Sequence, residues 1–265
     1  MSVVALGMLA LLLLACNPPP EAPSELDALV GYLYAHALDE DPEALQVGAS
    51  ALDAWMDSRL EETLDGYAVK VLDEATVDAL DGTDRSAEGL VGAAVGYASP
   101  NDPWTLVASV LTSDPLDRPD STSLAYERDE DLEARACFLD GACDSHVFES
   151  RGTDSLPLGL EVTSHVAQQY RWFEMSDGRR ASVQRTWLKS PAEVNYDWLE
   201  VLGQYYIWVA LPHEDGARNM FATWALTRLT GNDVPEDLAL SLAVDQMRKG
   251  GEEMDAWIAE NPPAR

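Results

Sequence analysis

A pattern of aromatic runs, Asp-Gly pairs and Thr-Trp endings occurs twice in the second half of the chain, and it restricts the fold more than any other feature. Tyr170 and Trp172 precede Asp177-Gly178, Arg180 and Thr186-Trp187; Tyr206 and Trp208 precede Asp215-Gly216, Arg218 and Thr223-Trp224. The offset is 36 residues from Trp172 to Trp208, 38 from Asp177 to Asp215 and 37 from Trp187 to Trp224. Aromatic and β-branched residues favour a pleated backbone, and Asp-Gly supplies the positive φ of a tight turn. Each copy therefore reads as a β-hairpin. Two in succession predict a four-stranded antiparallel meander, with strands near 162–175, 179–189, 199–211 and 217–229. Alternation along a strand places Tyr170 and Trp172 on one face, and Tyr206 and Trp208 likewise. The repeat is either a duplication or the shared grammar of hairpins, since two copies are too few for a solenoid.

Helical patterns flank the meander. Ser24 and Asp27 have capping-box spacing ahead of Leu26, Leu29, Val30, Leu33 and Ala37, which recur on one helical face. Asp41-Pro42 opens a second helix carrying Leu45, Ala49, Leu52, Met56, Leu60 and Leu64, and Glu74–Leu80 forms a third. At the other end Leu240, Val244, Met247, Met254 and Ile258 make an apolar stripe, which Gly250-Gly251 is expected to kink or split. In the runs 90–98 and 104–111 periodicity does not separate helix from strand. Residues 112–160 are turn-rich, too long a connection to lack structure of their own. The expected fold is α+β. It has N-terminal helices over 24–81, a central antiparallel meander over 160–230, and C-terminal amphipathic helices over 234–260 packed on the sheet, all in one domain spanning 24–265.

Charge excludes one class of partner. The chain holds 47 acidic and 17 basic side chains, a net charge of −30. Phosphate backbones are bound by clustered Lys and Arg, so nucleic acid is not an expected partner. Most of the excess falls in residues 1–160, with 31 acidic and 7 basic against 16 and 10 afterwards. Such a half is a solvated, repulsive surface or an adaptation to salt. The clusters Asp129-Glu130-Asp131 and Asp140-Gly141 do not have the spacing of a calcium loop.

Residues Val3–Leu14 form an apolar run too short to span a bilayer, ending in Leu13-Leu14-Ala15-Cys16 and followed by Pro18, Pro19 and Pro20. Those four residues resemble the lipobox of bacterial lipoproteins. The resemblance implies a signal peptide over 1–15, removed before Cys16, and a lipid on the Cys16 sulfur. Residues 16–23 then form a Pro-rich tether to the membrane. It further implies residence in the cell envelope. Asn17, in place of the Asp that retains enterobacterial lipoproteins at the inner membrane, favours the outer one. With Cys16 assigned to lipid, Cys137 and Cys143 remain as an even pair, an expected disulfide across the Asp140-Gly141 turn.

No motif names a reaction. Gly89, Gly92 and Gly96 lack the spacing of a dinucleotide fingerprint, no glycine loop cradles phosphate, and His36, His146, His165 and His213 are scattered. No catalytic residue, metal ligand or cofactor is assigned. Tyr170, Trp172, Tyr206 and Trp208 either pair across strands beneath a helix or line a surface for an apolar ligand. The expected role is a lipid-anchored envelope protein that binds an apolar ligand or an envelope partner. The alternatives are a ligand-free structural lipoprotein and a hydrolase built on carboxylates and a histidine.

Overall fold

The computed structural model describes residues 21–80, 86–118, 122–156, 159–230 and 238–264. The expected signal peptide, Cys16 and the part of the expected tether before residue 21 lie outside the described residues. In chain order the helices are α1 (Leu26–His36), α2 (Glu43–Arg59), α3 (Glu74–Asp78), α4 (Pro103–Thr112), α5 (Leu132–Leu139) and α6 (Leu238–Glu260). The strands are β1 (Tyr67–Val69), β2 (Val91–Ser99), β3 (Ser123–Asp129), β4 (Ser145–Leu156), β5 (Leu160–Glu174), β6 (Arg180–Leu188), β7 (Glu193–Val194), β8 (Leu199–His213) and β9 (Gly216–Leu229).

These strands join in one nine-stranded sheet, ordered β1-β2-β9-β8-β6-β5-β4-β3, with β7 paired to β5. The two hairpins are present. Gly178 and Gly216 take the positive φ of their turns, and β6 pairs with β8 to make the meander continuous. The sheet is larger than the meander because both flanking segments add to it. The run after Leu90 is β2, and residues 112–160 contribute β3, α5 and β4. The run beginning at Trp104 resolves as a helix because of its first residues. Asp102 caps it, accepting from the Thr105 amide at 2.7 Å, and Pro103 fills the first position.

Both faces of the sheet are covered. On the back, α1, α2 and α3 bury Leu29, Leu33, Leu52, Met56 and Val77 against Trp187, Tyr205, Ile207, Val209 and Trp224. Trp224 is wholly buried; its indole meets the Tyr34 ring edge-on at 5.6 Å and donates to the Lys70 carbonyl at 2.8 Å. On the front, α4 lies over β6 and β8, α5 over β4, and α6 over β2 and β9. Leu106, Val107, Leu111, Phe138, Val244, Met247 and Ile258 there pack on Val95, Phe148, Tyr170, Trp172, Trp208 and Phe221.

The glycines of β2 are explained by this packing. A Cβ on Gly92 would stand 2.5 Å from the Trp224 ring, and one on Gly96 would stand 2.6 Å from Leu60. They give room for close approach rather than for a phosphate.

Three local expectations need correction. Ser24 does not cap α1: the helix begins after Glu25, which makes no side-chain cap. The second helical stripe stops early, passing into a 3-10 turn at Leu60–Thr63 that leaves Leu64 exposed. Gly250-Gly251 neither splits nor ends α6, which is assigned unbroken from Leu238 to Glu260. Gly251 instead brings the helix against Tyr97: a Cβ there would lie 2.7 Å from the ring. The side chain of Leu240 lies outside the described residues. No helix among the described residues is long and apolar enough to cross a membrane.

Candidate functional site

The front face of the meander is where the nominated aromatics meet. Tyr170 and Trp172 of β5 and Trp208 of β8 are buried there and Tyr206 of β8 is half-buried, all on one surface. Register places them. Tyr170 faces Gln184 across β5 and β6, Gln184 faces Trp208 across β6 and β8, and Trp208 faces Phe221 across β8 and β9.

Phe221 is the hub of one half. It stacks with Tyr97 at 5.6 Å, Tyr206 at 5.8 Å and Trp208 at 5.8 Å. Phe138 of α5 is the hub of the other, stacked on Trp172 at 5.3 Å and edge-on to Tyr170 at 6.3 Å. Offset stacks of this kind add about 0.5–1.5 kcal/mol per pair beyond area burial. Phe221, Phe138 and Tyr97 were not nominated. Phe221 has the alternation of a strand, but Tyr97 and Phe138 lie in segments whose sequence does not reveal which face they serve.

The polar atoms of this surface fall into two groups. Some are satisfied: Trp172 donates to the Phe138 carbonyl at 3.1 Å, and Trp208 to the Asn219 side-chain oxygen at 2.8 Å. Across three strands Gln184 donates to Gln168 at 3.1 Å, and Gln168 to the Ser150 hydroxyl at 2.8 Å. Others are buried without a partner, namely the Tyr170 hydroxyl, the Ser109 hydroxyl and the Asn219 amide nitrogen. Each such group forgoes a hydrogen bond it had in water, at a cost of about 1–3 kcal/mol. Burial pushes the Tyr170, Tyr206 and Tyr97 hydroxyls well above the ordinary tyrosine value, so all three are neutral donors at physiological pH.

The cover is uneven. Trp172, Trp208 and Phe221 are sealed beneath helices, whereas Tyr206, Gln168, Thr186, Val166 and Ala225 on the same face are only partly buried. The aromatic surface thus runs from a closed interior to a partly buried margin, where the Tyr206 ring meets solvent at one side while its hydroxyl stays inside the protein.

A charged cluster anchors α4 above it. Glu130 is nearly buried and accepts from Arg135 at 2.7 Å, His146 at 3.1 Å and Arg128 at 3.3 Å. Arg128 and Arg135 also donate to the Leu111 carbonyl, satisfying the C-terminal turn of the helix and its partial negative charge. Burial holds the His146 imidazole below its usual value, against the raising effect of Glu130. The other histidines are spread out. His36 pairs with Asp39, His165 with Glu149, and His213 contacts Arg218. Among the described residues, no group of three or more His, Cys, Asp or Glu could hold a metal.

Cys137 and Cys143 form a disulfide with Cα atoms 5.3 Å apart. It closes the turn after α5, fixing the segment that carries Phe138 and Leu139. The Leu139 carbonyl accepts from Trp104 at 2.9 Å, which ties α4 to α5. Two surface clefts, of about 420 Å³ beside β7 and about 260 Å³ between α1 and residues 70–76, do not include the four aromatics.

No family model matches the chain, and no curated protein matches it. Several solved structures are similar in part. A STAR-related lipid transfer protein fragment from Xanthomonas axonopodis is 15% identical, covering 66% of this chain and 97% of its own, with a TM-score of 0.38. A START superfamily protein from Mycobacterium smegmatis is 11% identical, covering 65% and 98%, with a TM-score of 0.38. Human STARD10 is 12% identical, covering 74% and 86%, also with a TM-score of 0.38. Likenesses this weak carry no argument about the site.

Proposed function

We propose that this chain is a lipid-anchored cell-envelope protein that binds an apolar ligand on the front face of its sheet, acting by binding rather than by catalysis. The observation that carries the binding reading is the aromatic surface that passes from sealed to partly buried on one face, from Trp172 and Trp208 to Tyr206. A surface that only closed a core would gain from burying its large apolar side chains completely. Here the less buried end holds a large aromatic ring in register with Thr186 and, beyond it, Gln168. That is the mixture of broad apolar contact and a few placed polar groups typical of ligand sites.

The anchor rests on Leu13-Leu14-Ala15-Cys16 and on the pairing of Cys137 with Cys143, which leaves Cys16 as the remaining cysteine. Two or more acyl chains at Cys16, at about 0.8 kcal/mol per buried CH₂, give stable attachment. The outer membrane is the favoured destination. A ligand-free surface lipoprotein is the competing reading, and it calls for exposed apolar residues. Leu116, Leu124 and Leu132 are such residues, on and around the edge strand β3.

Native mass spectrometry of protein extracted from its own membrane tests both parts. The expected spectrum has a lipid mass on Cys16 and a non-covalent adduct that a Tyr206→Asp variant loses. An adduct-free wild type overturns the binding reading. A Cys16→Ala variant that still pellets with membranes overturns the anchor.

A further inference from the structure

The segment between β7 and β8 forms a cleft that the front-face site does not use. Its volume is about 420 Å³, and small-molecule sites typically measure about 300–1,000 Å³. The frame of the cleft is fixed from three sides. The Ala192 amide donates to the Val201 carbonyl at 2.9 Å, and the Thr230 amide to the Trp198 carbonyl at 2.8 Å. The Thr230 hydroxyl donates to the Asp197 carbonyl at 3.0 Å. Asn195 accepts from the Glu161 amide at 2.9 Å and donates to the Gly159 carbonyl at 3.0 Å. A guest would meet walls already in place, which lowers the ordering cost of binding.

The lining is one-sided in its chemistry. Val194, Leu199 and Leu202 are only partly buried there, and Tyr196 is 40% exposed, its ring 6.0 Å from that of Trp198. Asp197 and Glu200 are its charged residues, and it includes no Lys, Arg or His. Glu200 pairs with Arg228 at 2.9 Å, whereas the Asp197 carboxylate makes no ion pair among the described residues. An ionised carboxylate only accepts hydrogen bonds, and no side-chain N–H of the lining is there to donate. An anion is therefore disfavoured, and a sugar, which needs donors as well as acceptors, is poorly served. A guest that donates, carries positive charge and has an apolar body complements the cleft on all three counts.

We propose that this cleft binds a short-chain primary ammonium, its N–H donors taken by Asp197 and Glu200 and its alkyl body set on Val194, Leu199 and Leu202. The exposed Tyr196 ring adds a cation–π attraction. The net charge of −30 raises the local concentration of cations around the chain. The proposal is independent of the front-face reading.

The test is calorimetric titration of the full mature chain near neutral pH with hexan-1-amine, hexan-1-ol and hexanoate, with backbone amide NMR shifts locating the site. The amine is expected to bind one to one, at least about tenfold more tightly than the alcohol, the effect of one charge-assisted hydrogen bond. Hexanoate is expected not to bind, and the amine's shifts should concentrate in residues 191–202. Asp197→Asn combined with Glu200→Gln should weaken the amine by at least about tenfold and leave the alcohol unchanged. Tyr196→Ala should weaken the amine several-fold. These side chains reach the surface, so the variants should unfold at the wild-type temperature. Glu40→Gln combined with Glu61→Gln removes the same charge from two exposed acids outside the cleft, and should leave binding unchanged. Equal weakening by that control, or several amines bound per chain, would reveal diffuse attraction to the acidic surface and overturns the site. Equal binding of amine and alcohol, or shifts centred outside residues 191–202, overturns it as well. An amine that does not bind the wild type overturns the proposal and leaves the front-face reading standing.

Discussion

Gly250 and Gly251 are neighbours in α6, yet the structure assigns them opposite responses to the same substitution. A Cβ on Gly250 meets nothing within 4 Å, so Gly250→Ala gains only helix propensity, about 1 kcal/mol. Gly251→Ala gains the same amount but sets its methyl 2.7 Å from two atoms of the Tyr97 ring. Ordinary carbon–carbon contact is about 3.5–4.0 Å, so the ring must move by roughly 1 Å. It has little freedom to do so, because it is stacked on Phe221 at 5.6 Å and 16°. Overpacking of this kind costs about 1–3 kcal/mol, leaving Gly251→Ala neutral to about 2 kcal/mol destabilising. The two variants should therefore differ by about 1–3 kcal/mol, a gap of roughly 2–12 °C in Tm for a domain of this size. Thermal unfolding followed by circular dichroism measures it. The background Tyr97→Ala supplies the control. With the ring gone, Gly251→Ala should become as stabilising as Gly250→Ala, and the double-mutant cycle should isolate the contact. Equal stabilisation by both alanines in the wild-type background would refute the close docking of α6 on β2.

Three further predictions follow from the same packing. Replacing both Cys137 and Cys143 by Ala, or reducing them, removes a short loop constraint across a separation of six residues; about 2 kcal/mol and a Tm fall of about 4–8 °C are expected by calorimetry. His146 is held below its ordinary value by burial, so the unfolded chain takes up its proton first as the pH drops through about 6.5, and stability declines with falling pH there. His146→Gln, which retains a donor toward Glu130, should flatten the dependence of Tm on pH between 7 and 5. Gly92→Val should cost at least about 2 kcal/mol in chemical denaturation, since its Cβ would collide with the Trp224 ring at 2.5 Å and with Val69 at 2.7 Å.

The hairpins were legible because their signals are local. Asp177-Gly178 and Asp215-Gly216 fix the turns, and alternation from Tyr170 to Trp172 and from Tyr206 to Trp208 fixes the faces. That both faces would be covered was not legible, since Trp187 and Trp224 look the same in sequence whether they meet helices or solvent. The size of the sheet was hidden for a related reason. In β2 a run of Gly, Ala and Val carries no period, and its partner β9 lies more than a hundred residues away. At the site, the four nominated aromatics were found from their alternation. Tyr97 and Phe138 reach the same place through tertiary contacts, which no local pattern encodes. Gly251 shows the opposite error: a residue known for breaking helices is used instead for the space its missing side chain leaves.

The sheet also separates two interiors. Trp224 and its helices lie behind it, and Phe221 and its helices in front, with adjacent strands β8 and β9 serving both. Loss of α4 or α6 from the sheet would expose only the front, while the rear layer still covers the other face of the same strands. Backbone amides of β8 and β9, held from both sides, should therefore resist hydrogen exchange more strongly than those of α4 and α6, each of which packs on one layer alone.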